Sequence, residues 1–377
     1  MQEVCAHDIH PVTAVIRASS CMQLEIADDV MASHERVTLR PATSRCCTII
    51  GMGLILLYHR IADAECDPWS LCVSPRRFAE HLEIIIKVGR PCTLRELAHG
   101  IQAGGVPPRC IAVTFDDGYV DNLHNAEPLL RRHGVPATFF VVSGFLAQHR
   151  EFWWDELEAL ILTPGVLPAT LRLKIREHVF EAELGSWAHY DVAAHGVNRA
   201  WRALGQSTPT LRHALYLSLY ESMKPLTDSE RRPIMDQLIA WAGRRRQIRD
   251  ACRTLSSEQL TAIAKHPLID IESHTVTHPS LPTLDGPTQL SEIRDSKTCL
   301  EELLGHPILG LAYPYGSHSE ETLAITKKAG MDFACSTIPG RVGGRTEVHR
   351  LPRVVVDDVN GDEFEKRLSS WLGFAEV

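Results

Sequence analysis

Apolar residues in this chain fall into short unbroken runs that alternate with amphipathic stretches. Leu54-Ile55-Leu56-Leu57 is too short for a helix and apolar on both of its alternating faces, so 52–59 reads as a buried strand. Ser74 followed by Pro75 marks a helix start, and Phe78, Leu82 and Ile85 form its stripe as far as Gly89. Thr93 caps a second helix over 94–101. A strand at Cys110–Phe115 follows, then a helix from about 122 to 133 closed by Gly134, then a strand at 137–142. The rhythm resumes later with strands at 268–272, 308–312, 333–336 and 354–356. A helix is predicted near 319–329 and a terminal amphipathic helix at 362–372. Strands and helices alternating through short connections imply a parallel sheet, open or closed into a barrel.

Two stretches break that rhythm. Residues 150–255 are rich in Trp, Leu, Ala and Arg, show no strand-like runs and read as several helices with nearly balanced charge. That length exceeds an ordinary loop, so the stretch is expected to be a helical insertion, a subdomain or lid, in one connection. Residues 1–50 hold four of the 11 cysteines and no sustained periodicity. They are expected to be a disordered leader or sequence upstream of a working start at Met52, leaving 52–377 as the barrel domain.

Composition narrows the function classes. The 377 residues carry 39 Lys and Arg against 47 Asp and Glu, a net charge of −8, with 44% hydrophobic and 23% charged residues. These are values of a soluble globular protein, and no run reaches the roughly 20 apolar residues of a bilayer span. An acidic chain is a poor general partner for nucleic acid. Its one dense basic run, Arg244, Arg245, Arg246 and Arg249, is local. The odd cysteine count without any Cys-x-x-Cys points to reduced thiols rather than a disulfide framework. With no basic and apolar leader visible, a cytoplasmic location is expected.

The chemically unusual residues all follow predicted strands. Tyr58-His59-Arg60 follows Leu54–Leu57, Asp116-Asp117-Gly118 follows Ile111–Phe115, Glu272-Ser273-His274-Thr275-Val276-Thr277-His278 follows Leu268–Ile271, and Tyr313-Pro314-Tyr315-Gly316 follows Ile308–Leu311. Parallel barrels gather the C-terminal ends of their strands on one face, so four distant clusters can meet around one pocket. His274 and His278, four apart, suit one face of a helical turn and a shared metal. Chance alone supplies about one such pair among 19 histidines. Two adjacent carboxylates at a strand end need a cation or a proton, and neither flanking segment offers a basic residue. One carboxylate with two imidazoles leaves a metal with an open position. Zinc in such a set lowers the pKa of water toward about 7 and polarises a carbonyl, and the second carboxylate is free to act as base. That equipment suits hydrolysis of an amide or ester.

Taken together, Thr114-Phe115-Asp116-Asp117-Gly118-Tyr119, Ser273-His274-Thr275-Val276-Thr277-His278-Pro279 and Tyr313-Pro314-Tyr315-Gly316 resemble the motifs of the polysaccharide deacetylase family, the NodB homology domain of carbohydrate esterase family four. The resemblance runs from about Leu54 to the end, interrupted by the insertion. It implies an α/β fold, a distorted (β/α)7 barrel, and a divalent metal, usually zinc. It further implies Asp117, His274 and His278 as metal ligands, Asp116 as general base, and the backbone N–H of Tyr315 as an oxyanion donor. The implied reaction is hydrolysis of a carbon–nitrogen bond other than a peptide, removing acetyl from an N-acetylated amino sugar in an oligo- or polysaccharide or glycolipid.

This sequence departs from the family pattern in three places. Ala312 stands where many members carry the arginine that orients the base, with Arg353 as a replacement. The Asp-x-x-Asp-Trp motif is missing. The late histidine that protonates the leaving amine has no clear match, leaving His59, His349 and, more distantly, His318 as candidates. Three competing readings stand beside this one: an amidohydrolase of a non-sugar amide on the same barrel, a metal-free carbohydrate-binding relative, and an iron oxygenase. The last is disfavoured because the carboxylate precedes both histidines by over 150 residues in an Asp-Asp-Gly turn. Trp153-Trp154 is expected to pack the insertion onto the barrel rather than to stack on a sugar.

Overall fold

The computed structural model describes residues 51–373 except Ala147 and His149, so the expectation of a leader at 1–50 lies outside the described residues. Seven parallel strands form the centre: β1 Leu54–Tyr58, β2 Cys110–Phe115, β3 Ala137–Val141, β4 Ile269–Ser273, β5 Gly310–Ala312, β6 Phe333–Cys335 and β7 Val354–Val355. Their spatial order is β6-β5-β4-β3-β2-β1-β7, with a two-residue strand at Arg90–Pro91 also paired to β2. The edges are not joined by a full ladder. A single parallel bridge from Cys335 to Leu351, just ahead of β7, links them. The sheet is therefore a curled, incompletely closed ring, the distorted (β/α)7 barrel that the motifs implied.

The apolar runs explain this architecture. Every residue of β1, β2 and β3 is buried. Leu54, Leu56 and Tyr58 pack outward with Phe78, Leu82 and Ile85 of helix α1, Pro75–Val88, while Ile55 joins Ala112, Phe140 and Ala312 in a second cluster. Alternate side chains of one strand thus fill two different layers. The remaining barrel helices are α2 Leu94–Gln102, α3 Glu127–His133, α8 Ser257–Ile263, α9 Gly286–Leu304, α10 Glu320–Lys328 and α11 Gly361–Leu372. The helix expected from 122 opens instead with a π-turn, Asn122–Ala126, before α3.

The insertion contains α4 Trp153–Ile161, α5 Val192–Asn198, α6 Leu211–Met223 and α7 Asp228–Trp241. It also contains a strand pair that the helical expectation missed, Thr170–Ile175 antiparallel to His178–Glu183. Leu171, Leu173 and Ile175 alternate with exposed Thr170, Arg172 and Lys174, the pattern of a half-buried strand. The turn between the strands is Arg176-Glu177, without the Gly, Asn or Asp that usually signals a hairpin. The insertion has its own apolar core, in which Phe152, Trp153, Trp154 and Leu157 meet Tyr119, Val142 and Phe145 from the barrel loops. The seven cysteines among the described residues are free thiols. No helix among those residues is long and apolar enough to cross a membrane.

Candidate functional site

The C-terminal ends of β1, β2, β4 and β5 open onto a cavity of about 150 Å³ lined by His59, Asp116, Asp117, His274, His278 and Tyr315, with Trp69, Trp154 and Tyr220 among the other wall residues. At its base Asp117 Oδ1 lies 3.5 Å from His274 Nε2 and 3.4 Å from His278 Nε2. The three ligand atoms fall within 4.8 Å of one another. A tetrahedral ion with bonds of about 2.0–2.1 Å separates its ligands by roughly 3.4 Å, so the donor set fits a zinc-class cation in spacing and chemistry.

Local backbone geometry aims these groups. Asp117, Thr275, His278 and Tyr315 all have positive φ, at 72°, 66°, 57° and 58°. Each costs about 1–3 kcal/mol for a side-chain-bearing residue and persists only where the surroundings enforce it. In the His274–His278 loop the enforcement comes from α9. Glu292 accepts the N–H groups of Val276 and Thr277 at 2.9 Å and the Thr277 hydroxyl at 2.7 Å. The Thr275 hydroxyl accepts the N–H of His278. The two histidines therefore converge from an irregular loop, not from the helical turn their spacing suggested. Gly316 is required beside Tyr315, because a Cβ there would lie 2.1 Å from Thr337 Oγ1.

Charge and hydrogen bonding set the protonation states. The Nδ1 of His274 faces the Ala312 carbonyl at 2.8 Å, which fixes the ring and leaves Nε2 toward Asp117. Burial pushes His278 down to about 3, so its ring is neutral and can donate a lone pair. Burial by itself would raise Asp117, but the hydrogen bond from His274 and the neighbouring imidazoles more than reverse this and hold it at about 2. Asp116 is treated differently. Arg353, fully buried, grips both its oxygens at 2.7 and 2.6 Å and donates a third bond to the Ser336 carbonyl. Burial opposes ionisation of Asp116 too, and the Arg353 charge overcomes it, keeping the carboxylate below its ordinary range.

A family model for polysaccharide deacetylases matches residues 103–216 and 240–334, more than half of the chain. The chain belongs to the polysaccharide deacetylase family. The Bacillus subtilis protein YxkH, named for the same family, is 23% identical over 319 residues, 84% of this chain and 76% of that one. The poly-β-1,6-N-acetyl-D-glucosamine N-deacetylase of Staphylococcus aureus is 25% identical over 130 residues, which is 32% of this chain and 44% of the relative. The Streptococcus pyogenes deacetylase PplD, solved with acetate, shares the fold with a TM-score of 0.53 at 16% identity, over 85% of this chain and 99% of that one.

This cavity separates the remaining candidates. His59 lines it, delivered by β1. His349 does not: its Nε2 faces the Met331 carbonyl at 2.8 Å, in the turn that closes the barrel beside β6. This corrects its expected place at the site, since that turn precedes β7 rather than following a strand end. His318 is also off the wall, stacked on Tyr313 with Nδ1 on the Gly316 carbonyl. Arg353 touches Asp116 rather than the open cavity, whereas Tyr315 forms part of the wall and lies 4.6 Å, ring to ring, from His278.

Two positioning residues escaped sequence reasoning besides Glu292. Asn122 donates to the His59 carbonyl, and Asp121 accepts from Ile61 N–H and Arg60 Nε, so the π-turn clamps the segment bearing His59. Their only sequence signal was nearness to Asp-Asp-Gly. Glu272 of β4 is taken by Arg95 and the N–H groups of Leu309 and Gly310.

Proposed function

We propose that this deacetylase removes the acetyl group from an N-acetylated amino sugar in an oligo- or polysaccharide or a glycolipid, using a divalent cation of the zinc class held by Asp117, His274 and His278. The observation that carries the reading is the pair of adjacent aspartates held in opposite ways. One sits at ligand spacing from two imidazoles, and the other is locked ionised by an arginine. A bound cation supplies Lewis acidity to the acetamide carbonyl and to the attacking water.

The chain's own groups do the rest. Asp116 accepts the proton of the attacking water, and Arg353 fixes both its orientation and its charge. The backbone N–H of Tyr315 meets the developing oxyanion. His59 is the imidazole on the cavity wall outside the ligand set, and it returns a proton to the departing amine. Trp69 and Tyr220 give the cavity aromatic faces suited to a sugar ring. Residues 150–255 act as an insertion that carries one wall of the cleft.

The test is acetate release from N-acetylglucosamine oligomers by purified protein, before and after chelation, with zinc added back. Release that is lost on chelation and restored by zinc supports the reading. Release untouched by removal of all bound metal overturns it.

A further inference from the structure

Glu292 of α9 holds the strained loop that carries His274 and His278. The other two strained positions of the site, Asp117 and Tyr315, belong to loops that meet the insertion. Trp153 and Trp154 open α4. Successive residues on a helix point about 100° apart, and the two indole planes stand at 82° to each other. They therefore reach different loops.

Trp154 Nε1 donates to the Tyr119 hydroxyl at 2.9 Å, two residues past Asp117. That hydroxyl donates in turn to Asp155, the next residue of α4, at 2.8 Å. The Trp153 indole N–H has the Tyr315 hydroxyl as its neighbour. Both atoms of this second pair are buried, and among the described residues neither has another partner. Trp153, Trp154 and Tyr119 are 6%, 5% and 0% exposed, so these contacts form away from water, where a lost partner is costly.

The Tyr315 ring is held on several sides. It lies 4.6 Å from the His278 ring and 6.5 Å from Trp154, with Lys224 Nζ at the end of α6 5.1 Å over its face. A tyrosine at φ 58° relaxes unless its side chain is restrained, and relaxation would swing its backbone N–H. The Asp117 turn is also tied to the far end of the insertion. Leu255 N–H donates to the Gly118 carbonyl at 2.9 Å, and Val120 N–H donates to the Arg253 carbonyl at 2.8 Å.

We propose that Trp153 and Trp154 are positioning residues for the reaction assigned above. Trp153 holds Tyr315, and with it the oxyanion-donating N–H. Trp154 holds the turn that carries Asp116 and Asp117. The kinetic consequence rests on the deacetylase reading, whereas the restraint itself can be measured without it.

The test pairs steady-state acetate release with amide hydrogen exchange of the zinc-loaded full chain. Trp153→Phe keeps a ring and deletes the N–H. Tyr315→Phe keeps its ring and backbone N–H and deletes the hydroxyl. Each should lower kcat about tenfold at unchanged KM and full zinc content, less than loss of the oxyanion donor itself. The double variant should be no slower than either single one, because both remove the same contact. Exchange over 313–317 should speed up in both single variants while β2 and β3 keep parent protection. Trp154→Phe should instead speed exchange over 117–121. Losses in kcat that multiply in the double variant overturn the proposal, as does parent-like exchange over 313–317 in the single variants. A parent protein without zinc-dependent acetate release would overturn the assigned reaction, and exchange would still decide whether α4 restrains the two loops. Trp153→Phe shrinks a buried ring, so Tyr315→Phe decides the matter if that protein does not fold.

Discussion

The barrel and its insertion bury arginines in opposite ways. In the barrel, the buried Arg353 is matched to Asp116 and the buried Arg60 to Asp121, each by direct contact between side chains. In the insertion, Arg212 is fully buried and bonds only to backbone carbonyls, those of Ile161, Gly165, Trp187 and Ala188, and Arg231 likewise grips the end of α6. A matched arginine fixes the charge and direction of a carboxylate, which is what a base requires. An arginine spread over carbonyls ties chain segments together and leaves its charge unneutralised. The barrel thus uses buried charge to hold carboxylates, and the insertion uses it as a strut.

The largest expected effects come from the two aspartates. Asp117→Ala should reduce bound zinc to background, read by elemental analysis, and abolish acetate release. Asp116→Asn should retain stoichiometric zinc while turnover falls by a factor of about 10²–10⁴, the range for a lost general base. An Asp116→Asn protein with undiminished turnover would remove Asp116 from the chemistry and leave Arg353 as a strut like Arg212.

The next test concerns the matching itself. Arg353→Met strands a buried carboxylate and should cost about 3–5 kcal/mol in denaturant unfolding, and Arg353→Met combined with Asp116→Asn should recover most of it. Arg212→Met removes bonds to backbone carbonyls and should cost about 1–3 kcal/mol, with no dependence on Asp116. Equal costs for Arg353→Met with and without Asp116→Asn would end the distinction between the two regions.

How much of this was legible in sequence follows from the same contrast. The barrel strands are apolar on both faces and their polar residues fall at one end, so β1, β2 and the Asp-Asp-Gly turn could be read locally. The hairpin at 170–183 could not, because its outer face is charged and its turn is Arg176-Glu177. The Arg353 grip on Asp116 spans 237 residues in sequence; the absence of an arginine at Ala312 points to Arg353 as its replacement, whereas spacing alone does not single it out. Glu292 and Asn122 act through backbone groups of loops, a role open to any acid or amide. His59 directly follows β1, whereas His349 lies in the turn ahead of β7, and its place depends on how β6 and β7 meet.

At the seam between the regions, Asp155 of α4 accepts a hydrogen bond from Tyr119 of the barrel at 2.8 Å. Burial raises Asp155 to about 7, with the Arg60 charge opposing that rise. The folded protein therefore holds this proton between about pH 4 and pH 7, while the unfolded chain has released it. The unfolded state binds fewer protons there, so the Asp155 contribution to stability falls as pH rises through that window and stays low above 7. Asp155→Asn should match the parent near pH 4 and exceed it by roughly 1–3 kcal/mol at pH 8, read as a melting temperature several degrees higher. A parent protein whose pH–stability curve is unchanged by Asp155→Asn would place the charge of Asp155 in contact with water.

The smallest effect tests backbone strain. The barrel site holds Asp117, His278 and Tyr315 at positive φ, and all three line its cavity. Arg176 has a comparable φ of 52° in the insertion, but it serves only an exposed turn and a surface pair with Glu230 at 2.8 Å. Glycine adopts that conformation freely, relieving about 1–2 kcal/mol. Against this stand the surface pair, about 0.2–1 kcal/mol, and the greater freedom of glycine in the unfolded chain, about 0.4–1 kcal/mol. Arg176→Gly should therefore change stability by no more than about 1.4 kcal/mol and leave acetate release and zinc content at parent values. Glycine at His278 relieves the same kind of strain and should instead cost the metal. If Arg176→Gly lowers activity as well, the hairpin belongs to the working cleft and the insertion is more than a support for its wall.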